Sequence, residues 1–164
     1  MTIILKNKVT LKFDDFYFKC SIGKKGLTKK KIEGDKKTPI GTFSLGNLYY
    51  RADRNLRPLT KLKCVKIKKA MGWCDDIENK KKYNKMINVN QELRHEKLYR
   101  RDHKYDLMIV INYNTKKTKL GKGSAIFLHL TDNYKPTAGC IALKKKDFLI
   151  LCKLINKRTK IKII

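Results

Sequence analysis

Residues 106–113 (DLMIVINY) and 124–130 (SAIFLHL) are short, nearly unbroken apolar runs bounded by polar segments. Runs of this length are too short for a core-spanning helix and suit strands buried on both faces. Upstream, Phe16, Phe18, Cys20 and Ile22 alternate with Tyr17, Lys19 and Ser21. That is the period of a strand with one buried face, and residues 3–22 as a whole read as strands. Further short strands are expected at 41–45, 48–50, 62–68, 141–143 and 159–164. Residues 145–156 repeat apolar side chains at helical spacing through Phe148, Leu151, Cys152 and Ile155. Residues 23–39 read as a Gly- and Lys-rich loop, 70–90 as irregular with some helix, and 91–101 as one short helix. The expectation is a β-rich α+β fold with a few short helices, and 164 residues suit one such domain, 1–164.

Charge is the compositional extreme: 41 Lys and Arg against 14 acids, a formal net charge of +27. Any polyanion is attracted to such a chain. The lysines, however, far outnumber the arginines and are spread along the whole length, as in a surface that drifted under compositional bias. A base-reading surface clusters its cations with aromatic or amide side chains, so no specific nucleic acid is expected. Cys20, Cys64, Cys74, Cys140 and Cys152 form an odd set without C-x-x-C spacing. This argues against a disulfide framework and for a reducing compartment. His95, His103 and His129 show no ligand spacing with each other, so no metal or cofactor is expected. The N-terminus lacks a signal-peptide pattern, and no stretch of about 18 apolar residues could span a bilayer. The expected location is cytoplasmic, or the cell envelope if a leader has been removed.

The segment from His129 to Cys140 carries the chemistry. A strand delivers His129 at its end, a loop with Pro136 turns the chain, and Thr137-Ala138-Gly139-Cys140 leads into another apolar run. A cysteine nucleophile needs its proton removed, and a neighbouring imidazole can take it. Gly139 allows close backbone approach, and the amides of 138–140 suit an oxyanion. The plain alternative is a buried thiol beside a satisfied strand-end histidine. Cys20, Cys64 and Cys152 lie in apolar patterns and read as inert. Cys74 is flanked by Trp73 and Asp75-Asp76, acids that raise a thiol pKa.

This segment resembles the catalytic motif of the L,D-transpeptidase (YkuD-type) family. Gly34-Asp35-x-x-Thr38-Pro39-x-Gly41-x-Phe43 is similar to that family's G-x-x-T-P-x-G-x-F element. Tyr50-Arg51-Ala52-Asp53-Arg54, Gly72-Trp73-Cys74-Asp75-Asp76, 107–113, 124–130 and 136–143 fit a subgroup of it, so that the likeness covers roughly residues 20–155. The resemblance implies that Cys140 attacks the carbonyl of the diamino acid in a peptidoglycan stem tetrapeptide or muropeptide and releases D-Ala. His129 would be the base, oriented by the backbone carbonyl of Leu130, with the Gly139 amide at the oxyanion. The basic charge of the chain should favour the Cys140 thiolate.

The sequence departs from the family pattern at Ala138, where a second histidine is common, and at Ala142, where an arginine is common. The interval between His129 and Cys140 is also short. Arg51, Arg54, His95 and His103 are therefore the candidates to bind substrate carboxylates. Three alternatives stay open: a cytoplasmic L,D-carboxypeptidase using the same site, a degenerate member that binds wall fragments without turnover, and a non-enzymatic basic nucleic-acid-binding domain.

Overall fold

A computed structural model describes residues 1–89 and 93–164. Strands β1 (Thr2–Lys6), β2 (Thr10–Phe13) and β3 (Phe16–Ser21) form an antiparallel meander. A two-residue parallel ladder, β4 (Leu27–Thr28) with β5 (Thr38–Pro39), pins the loop that follows. Next come β6 (Gly41–Tyr50), β7 (Cys64–Lys66), β8 (Met71–Cys74), β9 (Met86–Asn88) and β10 (His95–Lys97). The chain ends with β11 (Leu107–Ile111), β12 (Phe127–Leu130), β13 (Ile141–Leu143), helix α1 (Lys145–Leu154) and β14 (Lys160–Ile163).

The main sheet runs β11-β12-β13-β3-β2-β1-β14-β6, and β6 pairs back to β11, closing a barrel-like ring. Closure falls to β6 because its ten residues serve two partners in succession. Gly41–Ser44 pair with β14, whereas Leu45 and Leu48–Tyr50 pair with β11. β7 adds in parallel beside Leu48–Tyr50. A separate three-stranded sheet, β10-β8-β9, stands apart from the ring.

Two apolar cores result, and β11 explains why its sequence shows no alternation. Leu107, Ile109 and Ile111 enter the core that also holds Ile3, Leu11, Phe148 and Ile161. Met108 and Val110, on the opposite face, enter a second core with Trp73, Leu98, Tyr105, Phe127 and Cys140. A strand covered on both sides needs apolar residues throughout. Helix α1 buries Phe148, Leu151 and Cys152, with Asp147 in its first turn and Lys153 in its last, matching the helix dipole. Ile161 is fully buried between β1 and β6, so Ile161→Val should cost about 1 kcal/mol, read from the urea midpoint.

The structure corrects several expectations. Instead of a few short helices, α1 is the one helix among the described residues. The expected strands 41–45 and 48–50 are one strand, and 62–68 contracts to Cys64–Lys66. Segment 70–90 supplies β8 and β9 rather than helix. The helix expected over 91–101 is replaced by β10, with residues 91 and 92 outside the described residues. Its helix-forming residues take strand geometry because β8 offers a free edge. There Gly72 makes room: a Cβ on it would stand 2.8 Å from the His95 ring and 2.9 Å from Val89. Pairing with a distant segment overrides local propensity.

Candidate active site

Strands β12 and β13 are parallel neighbours, with Leu128 opposite Ile141 and His129 opposite Ala142. Leu128 and Leu130 point into the barrel, so His129 and Phe127 point outward. Cys140, one residue before β13, falls on that same outward face. The sheet register therefore brings His129 and Cys140 to one cleft, of about 570 Å³, which both line.

Each of the two is held by backbone groups. His129 Nδ1 lies 2.8 Å from the Leu130 carbonyl oxygen. A carbonyl only accepts, so Nδ1 carries the proton and Nε2 is left as the basic nitrogen. The Tyr105 ring meets the imidazole edge-on at 5.3 Å and fixes its plane. The Cys140 thiol donates to the Ala125 carbonyl at 3.2 Å and accepts the Phe127 N–H at 3.3 Å.

Ala125 has φ 50, unusual for a residue with a side chain, and this turns its carbonyl toward the thiol. Asn84 holds it there. The buried Asn84 amide accepts from Ala125 N–H and Trp73 Nε1, and donates to the carbonyls of Tyr113 and Asn114. All four of its hydrogen-bonding positions are satisfied, which makes it a rigid brace behind the cysteine's partner.

The loop carrying the cysteine is equally braced. Thr137 Oγ1 donates to the Cys140 carbonyl at 2.6 Å and accepts from Gly139 N–H at 3.1 Å. Thr38, fully buried, accepts the Gly23 N–H at 2.9 Å and donates to the Gly139 carbonyl at 2.8 Å. Gly139 has φ +145, and a Cβ there would stand 2.9 Å from the Lys37 carbonyl oxygen, so only glycine fits. The Gly139 amide, assigned to an oxyanion by resemblance, is thus engaged by Thr137 in this state.

Burial sets the protonation states. It pushes the Cys140 thiol up to about 12, and the Phe127 N–H and a positive contribution from Lys31 do not offset it. Burial likewise lowers His129 to about 4 despite the Leu130 contact. The resting pair is a neutral thiol beside a neutral imidazole, which corrects the expectation that overall positive charge favours the thiolate. A net charge mostly in solvent is screened, whereas desolvation acts at the sulfur itself. Cys20 and Cys152 are also raised to about 12 by burial, so geometry and not pKa singles out Cys140.

The cleft differs from the rest of the surface. Its charged lining comprises Lys31, Arg94, Arg100, Lys104 and Lys135 against Glu33, Asp75, Glu96, Asp102 and Asp132, beside His103 and His129. A chain of +27 therefore encloses a charge-balanced cleft. Among the described residues, no three His, Cys, Asp or Glu side chains converge as metal ligands do.

The four candidates for carboxylate binding are dispersed. Arg51 is buried, forks onto Asp53 at 2.7 and 2.8 Å, donates to the Arg100 carbonyl and lies 3.5 Å over the Tyr99 ring. Arg54 pairs with Asp106 at 2.9 Å and donates to the carbonyls of Arg101 and Asp102. Neither lines the cleft; both anchor the 99–106 segment that brings Arg100, His103 and Tyr105 to it. His95 is also outside, packed over Gly72 with Nδ1 2.6 Å from the Leu93 carbonyl. His103 is at the rim, its Nδ1 2.8 Å from Asp106 and its side chain 68% exposed. Sequence reasoning missed Lys31, Asn84 and Tyr105. Lys31 closes a run of three lysines and is indistinguishable from its exposed neighbours by type.

The model of the YkuD family, the L,D-transpeptidase catalytic domain, matches residues 1–163. No curated protein matches the sequence. Among solved structures, the helical cell shape determining protein Pgp2 from Campylobacter jejuni aligns over 99% of this chain at 18% identity, with a TM-score of 0.56. A lysine-to-alanine variant of Pgp2 aligns over the same share at 18% identity and a TM-score of 0.54. This chain spans 46% of Pgp2, and at that identity the likeness is one of fold. Because the family match runs the length of the sequence and not merely across 129–140, the chain belongs to the YkuD family of L,D-transpeptidase catalytic domains.

Proposed function

We propose that the protein carries out cysteine-dependent acyl transfer on peptidoglycan stem tetrapeptides. The observation that carries this reading is the placement of His129 and Cys140 on one face of adjacent parallel strands, lining one cleft. In the reaction, the thiol gives up its hydrogen bond to the Ala125 carbonyl and its S–H bond breaks as His129 Nε2 takes the proton. The sulfur attacks the carbonyl of the diamino acid, and a tetrahedral intermediate forms. Its collapse breaks the amide bond, and His129 returns the proton to the departing D-Ala amine. A thioester on Cys140 remains. An amine acceptor then yields a cross-link or an exchanged D-amino acid, and water yields a tripeptide.

The balanced cleft supports a peptide substrate bearing both amines and carboxylates. A polyanion groove would be lined by cations in excess, so the nucleic-acid reading lacks support at this site. The same site serves a hydrolytic L,D-carboxypeptidase, and the five free cysteines favour that second outcome in a reducing compartment. Incubation with a muropeptide tetrapeptide, with and without a free D-amino acid, separates the outcomes by mass spectrometry. Tripeptide as product identifies the carboxypeptidase, and exchanged or dimeric product the transpeptidase. Absence of both D-Ala loss and a Cys140 adduct across several stem peptides would remove the acyl-transfer reading.

A further inference from the structure

Lys31 is the one lysine in the lysine run 29–31 that the fold buries, with only 3% of its side chain exposed. Its stem threads between two glycines. A Cβ on Gly123 would stand 2.6 Å from Lys31 Cγ, and a Cβ on Gly139 would stand 3.7 Å from its Nζ. The ammonium donates to Asp35 and to the Ile32 carbonyl, which leaves one of its three N–H groups at the nucleophile loop. Asp35 is held in turn by the amides of Ile32 and Lys37, at 3.0 and 2.9 Å. Against its own partial burial, the Lys31 hydrogen bond and those amides keep the Asp35 carboxyl below its ordinary range. A buried cation costs desolvation, and here a dedicated carboxylate and a glycine-walled channel maintain it.

We propose that Lys31 is the positioning charge of the reaction centre, a buried cation that compensates the negative charge created when Cys140 loses its proton. This rests on Cys140 being the nucleophile. Three other titratable groups face the thiol's surroundings. Glu96, on β10, opposes ionisation, and the buried Tyr105 and His129 are neutral at rest. Lys31 is therefore the buried charge at the nucleophile loop that favours the thiolate.

Alkylation of Cys140 by iodoacetamide at pH 8, followed on the Cys140 peptide by mass spectrometry, tests this without any stem peptide. Lys31→Met keeps the stem and removes the charge, and should alkylate about tenfold more slowly. Lys31→Gln, which is also uncharged, should be slowed likewise and decides if Lys31→Met fails to fold. Loosening of the loop would expose the sulfur and speed alkylation, so slowing in a neutral variant, with its pH midpoint moved upward, is a charge signature. An unchanged or faster rate in either folded variant overturns the proposal. If the rates change as expected while no stem peptide is turned over, the acyl-transfer reading alone fails.

Discussion

Cys140→Ala is expected to lower stem-peptide turnover at least about a thousandfold while leaving the fold intact, and His129→Gln about a hundred- to ten-thousandfold. Both side chains are buried at the cleft, and neither substitution adds volume. The pH dependence distinguishes this site from a resting ion pair. With His129 held near 4 by burial, the imidazole is neutral and basic well into acid. The acid limb of kcat/KM should therefore fall near pH 4 rather than near the ordinary histidine value of about 6.5. A limb near 6.5 would place His129 in solvent and contradict its position.

The same burial makes stability pH-dependent. As pH falls below about 6.5, the unfolded chain protonates this histidine and the folded chain does not until about pH 4. Stability is thus full above 6.5 and lost progressively toward 4, by about 3 kcal/mol. His129→Gln should remove this contribution. Urea midpoints of both proteins at pH 7 and pH 4 measure it, and parallel losses in the two would exclude His129 as the source.

The second large effect is expected at Thr38. Its hydroxyl joins Gly23 N–H to the Gly139 carbonyl, which lies 101 residues beyond Thr38 in the sequence. Thr38→Val keeps the shape and leaves a buried donor and a buried acceptor unpaired, costing about 2–4 kcal/mol. The loop beside Cys140 would lose its tether, so kcat should fall at least about tenfold even where the protein is fully folded. Thr38→Ser, which restores the hydroxyl, should recover most of both. A Val variant that is destabilised yet turns over normally would make Thr38 a purely structural brace.

These two sites differ in how far they can be read from sequence. His129 and Cys140 stand within one strand–loop–strand, so a shared cleft was open to them in the sequence, but the parallel register of β12 and β13 is what sets them on one face. Thr38 was visible as part of a Gly-x-x-Thr-Pro pattern, but its partners Gly23 and Gly139 were not. Arg51 and Arg54 show the opposite error. Their type suits carboxylate binding, and the carboxylates they meet are Asp53 and Asp106 of the same chain. A fork-shaped donor reads the same whether its acceptor is a substrate or a neighbour.

Local pattern alone determined β11, β12 and the helix after Lys144, because each depends on periodicity. The tertiary structure alone decided the β8–β10 sheet, where a polar segment found a distant strand edge. It also decided which lysine of 29–31 is buried, and that Asn84 braces Ala125 from 41 residues away. Above all it decided the protonation of the cysteine–histidine pair. Desolvation depends on what surrounds a group in space, and no count of charges along the chain contains that information.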